Sequence, residues 1–167
     1  VAGDYVDAHR IGAKRAVETY GVHIQGPADI VWVSSYPADI DWWQAEKGLI
    51  SASFAVRPGG TIVFVTPAPE GLEHNHPKLR DWLGLSYAEA RDRALRISPE
   101  DPEEDLVAAD IAMCNLRIRE KVRVLLLSDG LTSGEAQLLG YEKVADTQEA
   151  QKRAEESRPG GSVGILP

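Results

Sequence analysis

The chain has 167 residues and 18.2 kDa, with 43% apolar and 26% charged residues. That is ordinary for a soluble globular protein of one domain spanning 1–167, and it argues against a disordered acidic tail, a collagenous chain or a disulfide scaffold. Eighteen basic against twenty-six acidic residues leave a net charge of −8 and a pI near 5.0, which argues against nucleic acid or an anionic membrane as main partner.

No stretch approaches the ~18–20 apolar residues of a membrane span. The longest apolar runs, Ile30–Val33 and Val124–Leu127, are strand-sized. Cys114 is the single cysteine and lies in an apolar helical run. It cannot form an internal disulfide and packs as a small hydrophobe, in keeping with a reduced, cytoplasmic setting. The chain opens on Val1 without a signal peptide, which suggests a fragment, a processed chain or a trimmed one.

In chain order, Asp4 or Asp7 caps a first helix over Val6–Thr19, stopped by Gly21. Residues 29–35 (Asp-Ile-Val-Trp-Val-Ser-Ser) read as a buried strand. Pro37 and Asp39 announce a helix over Ile40–Val56, Arg57-Pro-Gly-Gly60 reads as a helix stop and turn, and Thr61–Thr66 is a second strand. A polar loop, Pro67 to Pro77, holds His74-Asn75-His76. A short helix over Lys78–Leu83 precedes a Ser86–Glu89 capping box and a helix to Ile97.

Pro99–Glu104 is an acidic, proline-marked break open to proteolysis, and Asp101, Glu103, Glu104 and Asp105 read as a solvated helix start. Asp105–Lys121 is an amphipathic helix, Val122–Ser128 a third strand, and Ser133 starts a short helix ending at Gly140. Tyr141–Ala145 reads as a strand, Thr147–Ser157 as a charged helix and Gly161–Leu166 as a last strand. This alternation predicts an α/β fold, a layered, mostly parallel sheet flanked by helices (Rossmann-like).

In open α/β sheets, ligands sit beyond the carboxyl ends of strands. Here that place is Ser34–Asp39 and the helix after it. At 100° per residue, Ile40, Trp43, Lys47, Ile50 and Phe54 share one stripe of that helix, flanked by Gln44. A lysine in an apolar stripe either snorkels to water or meets a ligand, since burying its charge unpaired is costly. His74 and His76 lack the further ligands that a transition-metal site requires, which leaves a solvated loop or a substrate-facing wall. No G-x-G follows the first strand, and no Walker A, G-x-S-x-G or H-E-x-x-H motif occurs.

The run from Asp29 to Lys47, with Val56–Val65 (Val-Arg-Pro-Gly-Gly-Thr-Ile-Val-Phe-Val) and Pro69-Glu-Gly-Leu72, resembles the C-terminal domain of the nickel-dependent lactate racemase family. The opening Gly3–Arg10 resembles the helix leading into that domain. The likeness is firm over residues 29–72 and thin after about residue 80.

The resemblance implies the C-terminal, substrate-closing lobe of a racemase or epimerase of 2-hydroxy acids, an isomerase working by reversible hydride transfer. It further implies a nickel-pincer nucleotide held by an N-terminal catalytic domain that would be this chain's partner. None of that domain's cofactor or acid–base motifs is present, so no cofactor, metal or catalytic residue is expected in this chain alone, which by itself would be inactive. The family's Tyr-Gln-x-x-Lys helix falls on Trp43, Gln44 and Lys47, which the resemblance makes substrate-binding residues. Trp43 replaces the usual tyrosine, and Ser35-Tyr36 stands for the family's glycine-rich turn, which allows a 2-hydroxy acid other than lactate. The competing reading is a non-catalytic α/β nucleotide- or metabolite-binding module.

Overall fold

A computed structural model describes residues 1–98 and 104–166. The bulk of the proline-marked acidic break, residues 99–103, lies outside them. Five strands form one all-parallel sheet in the order β4-β3-β2-β1-β5: β1 (Ala28–Ser34), β2 (Val56–Val65), β3 (Arg123–Leu127), β4 (Glu142–Lys143) and β5 (Val163–Leu166). The helices are α1 (Tyr5–Tyr20), α2 (Trp42–Ala55), α3 (Leu79–Leu83), α4 (Tyr87–Ala94), α5 (Leu106–Arg119), α6 (Ser133–Leu139) and α7 (Thr147–Ser157). The expected α/β layering is what the chain adopts. None of these helices is long and apolar enough to cross a membrane.

Alternate strand residues divide the core in two. Val31, Val33, Ile62, Phe64, Val124 and Leu126 pack with α2, α3 and α5, while Ile30, Val63 and Leu125 meet Ala150 and Ala154 of α7. Helix α7 packs on β2 and β3. Arg119 staples the α3–α4 and α6 ends, donating to the carbonyls of Leu83, Leu85 and Leu138. Gly140 closes α6 at φ +78°, where a Cβ would lie 2.8 Å from the Arg119 side chain. Helix α1 is capped by Asp4 but buries none of its residues.

Two expectations change. The Arg57–Gly60 segment is strand rather than turn: β2 starts at Val56, opposite Ala28, with an irregularity before Ile30 pairs with Thr61. The core face of α2 is also not the expected stripe. Its buried residues are Trp42, Ala45, Glu46, Leu49, Ala52 and Ala55, whereas Ile40 is 48% and Phe54 79% exposed, and Lys47 is exposed. The reason is close approach. A Cβ at Gly48 would stand 3.3 Å from the Ser34 carbonyl oxygen, so α2 lies close to the end of β1 there, with the small Ala45 and Ala52 on the buried face beside it.

The buried charge-bearing residue of α2 is therefore Glu46, 1% exposed, with neither carboxyl oxygen hydrogen-bonded. Burial pushes its pKa up to about 8; repulsion from Asp110 adds to this and Lys47 opposes it. The native state thus holds a proton that the unfolded chain releases near 4.5. This contribution to stability is complete below that value, declines as pH rises toward about 8, and is then constant. Glu46→Gln keeps the shape without the titration. Thermal melts should show wild type losing stability relative to Glu46→Gln from pH 5 to 8, by at most about 1.4 kcal/mol per pH unit. Parallel curves would contradict the assignment.

Candidate functional site

The carboxyl ends of β1 and β2 lead into two loops, residues 35–41 and 66–78, that are laced together. Ala68 N–H donates to Asp39 O and Glu70 N–H to Ile40 O, both at 3.0 Å. The same lacing closes the start of α2. Trp42 N–H donates to Gly71 O at 2.9 Å, Trp43 N–H to Leu72 O at 3.2 Å, and Gln44 N–H to the Asp41 side chain at 2.7 Å. The first amides of a helix are ordinarily free to hold an anion. Here they are consumed within the protein, which leaves only side chains to meet an anion at this edge.

Those side chains stand on the first two turns of α2. Lys47 Nζ donates to Gln44 Oε1. This contact uses the Gln44 oxygen, so its amide nitrogen keeps its hydrogens to donate, and it leaves the ammonium with two further hydrogens. Trp43, one turn before Lys47, is half-buried and stacks on His76, with ring centroids 4.1 Å apart and planes within 5°. Trp42, its neighbour, is fully buried in the core. Trp43, Gln44 and Lys47 thus share one surface, as the sequence spacing predicts, although Lys47 lies on an exposed face and not within a buried stripe.

The histidine loop resolves into two separate pairs. His74 Nε2 lies 2.5 Å from Glu70, and His76 Nδ1 lies 2.7 Å from Asp105. The two imidazoles do not converge, and among the described residues no group of three or more His, Cys, Asp or Glu is arranged to hold a metal ion. Asp105, expected to be a solvated helix start, has two tasks. One oxygen caps α5 by accepting from Val107 and Ala108 N–H, and the other binds His76. Burial opposes its charge, but the Ala108 amide, His76 and the Val107 amide outweigh that and hold its carboxyl below the usual range. Glu104 is not simply solvated either: it pairs with Arg93 at 2.7 Å, and Arg93 lies over the Trp82 ring.

Sequence reasoning missed Asp105 as a site residue because its partner is 29 positions away. Glu46 had a local signal, its place one turn from Trp42 and next to Ala45 and Leu49, which the larger side chains of the neighbouring stripe obscured.

No sequence-family model and no curated protein matches the chain. Among solved structures, the lactate racemase apoprotein of Thermoanaerobacterium thermosaccharolyticum superposes with a TM-score of 0.79 at 23% identity, over 96% of this chain and 38% of that one. A Thermotoga maritima protein matches with a TM-score of 0.58 at 15% identity, over 97% of this chain and 40% of that one. The chain therefore has the fold of part of a lactate racemase and spans well under half the length of either neighbour.

The 66–78 loop is braced from below. Gly130 N–H donates to Pro67 O at 2.8 Å, and a Cβ on Gly130 would meet Ala68 O at 1.8 Å. Gly130→Ala must displace the backbone that carries the 66–78 loop. It should cost about 1–3 kcal/mol, as overpacking does, and alter tryptophan fluorescence through the Trp43–His76 stack. An unchanged melting temperature would count against this brace.

Proposed function

We propose that this chain is the C-terminal, substrate-closing lobe of a racemase or epimerase acting on 2-hydroxy acids. The observation that carries this reading is the Gln44–Lys47 pair at the carboxyl end of a parallel sheet, in a fold otherwise seen in a lactate racemase. Lys47 would supply the positive charge for the substrate carboxylate, and the Gln44 amide a directional hydrogen bond. Trp43 would form the apolar wall beside them.

The nickel-pincer nucleotide belongs, in this proposal, to an N-terminal catalytic domain. The described residues of this chain do not fit such a group, because His74 and His76 each face a separate carboxylate and no group of three or more His, Cys, Asp or Glu among the described residues is arranged to hold a metal. Helix α1 supports a two-lobe arrangement. Helices of this length take most of their stability from packing, yet Tyr5, Ile11, Val17 and Tyr20 are exposed. The catalytic domain would cover them, and closure of the lobes would exclude water from the reacting carbon. Binding of nucleotide phosphates by a non-catalytic module finds less support, since the amides that would hold them at α2 are already bonded.

The test is Lys47→Ala in the protein that joins both lobes, assayed for inversion of D- and L-lactate and of longer 2-hydroxy acids. Lys47 is exposed and outside the core, so stability should change by no more than about 0.5 kcal/mol. Loss of a charge-assisted hydrogen bond of roughly 1.5–3 kcal/mol should lower kcat/KM by about ten- to a hundredfold or somewhat more. Lys47→Arg should rescue only in part, because a planar fork does not replace a compact ammonium. Unchanged kinetics in Lys47→Ala would overturn the reading, as would turnover by this chain alone supplied with nickel and the cofactor.

A further inference from the structure

We infer that His76 is a third polar substrate-binding residue of this lobe, its Nε2 accepting a hydrogen bond from the hydroxyl of a 2-hydroxy acid whose carboxylate is held by Lys47 and Gln44. This rests on the carboxylate site proposed above and adds the group that distinguishes a hydroxy acid from a plain one.

The chemistry of the Asp105 contact fixes what His76 offers. An ionised carboxylate can only accept, so Nδ1 carries the proton that it donates to Asp105 at 2.7 Å. In the neutral imidazole the other nitrogen is then a bare acceptor. Nε2 has no partner among the described residues, and the His76 side chain is 30% exposed. Its orientation is held from three sides. Asp105 is anchored by the first turn of α5, the His76 amide donates to Glu73 at 2.9 Å, and the ring lies flat on Trp43.

Residues four apart on a helix face have Cβ atoms about 5–6 Å apart, so Lys47 stands beside Trp43, whose ring carries His76; in this inference the three line one patch of surface. That patch offers donors from Lys47 and Gln44 and an acceptor from His76. A 2-hydroxy acid presents the complement, a carboxylate that accepts beside a hydroxyl that donates. His74 provides the contrast: its Nε2 already faces Glu70.

Two readouts test this on the chain itself. In long-range imidazole nitrogen NMR spectra of the neutral protein, His76 should carry its proton on Nδ1. Asp105→Ser, which keeps a helix-capping residue, should lose that preference. An Nε2-protonated His76 in wild type overturns the inference.

The second readout is titration with 2-hydroxyisobutyrate, which has no hydrogen on its reacting carbon, and with isobutyrate, which lacks the hydroxyl. Both should shift the Gln44 side-chain amide, and the hydroxy acid alone should shift His76 Nε2 and bind about three- to tenfold tighter. His76→Phe keeps a ring on Trp43 and should abolish that preference, while His74→Gln should retain it. If both acids shift Gln44 equally and His76 does not respond, the hydroxyl contact is overturned while the carboxylate site stands. If neither acid shifts Gln44 or His76, both fail together.

Discussion

The lacing of the 35–41 and 66–78 loops determines what this edge of the sheet can do. The carbonyls of Gly71 and Leu72 take the first two amides of α2, and Asp41 takes the third. In a phosphate-binding α/β fold those amides face the ligand. Here they hold the second loop in place, which brings His76 onto Trp43 and sets α2 so that Gln44 and Lys47 stand at this edge of the sheet. One set of backbone bonds thus closes the helix terminus and places Trp43, Gln44 and Lys47 on the surface beside it.

The same geometry links the site to the rest of the core. Asp105 joins the loop to α5, and α5 packs on α2 across the buried Glu46. Arg119 at the far end of α5 bonds carbonyls from both flanking segments. The helix that carries the candidate ligands is therefore held at its first turn by the 66–78 loop and along its length by α5. An unpaired buried carboxyl between those helices is expensive unless it stays protonated. Glu46 accordingly makes this packing sensitive to pH, while the exposed face of the same helix remains free for binding.

Much of the fold is legible in the sequence because its signals are local. The Val/Ile/Leu runs at 30–33, 61–65 and 124–127, the Ser86–Glu89 capping box and the glycine stop at 140 all form as read. Misreadings occur where a distant backbone decides. Apolar bulk favours the stripe of Trp43, Ile50 and Phe54, but the close approach at Gly48 puts Ala45 and Ala52 against the sheet, and α5 covers Glu46 from the other side. The Pro-Gly-Gly at 58–60 reads as a turn, yet it is strand because Gly59 at φ +74° and Gly60 against Asp29 O let β2 pass close to β1. Gln44 and Lys47 are visible from their spacing and from the family resemblance. The Asp105–His76–Trp43 chain joins three elements and has no pattern in any one of them.

The central claim is that α2 binds a carboxylate through side chains and not through its amino terminus. A crystal structure of the two-lobe protein with 2-hydroxyisobutyrate tests it most directly. The account predicts the ligand carboxylate within hydrogen-bonding distance of Lys47 Nζ and Gln44 Nε2, with the Trp42 and Trp43 amides still bonded to Gly71 and Leu72. A carboxylate seated on those amides, or one that leaves Lys47 and Gln44 untouched, would contradict it.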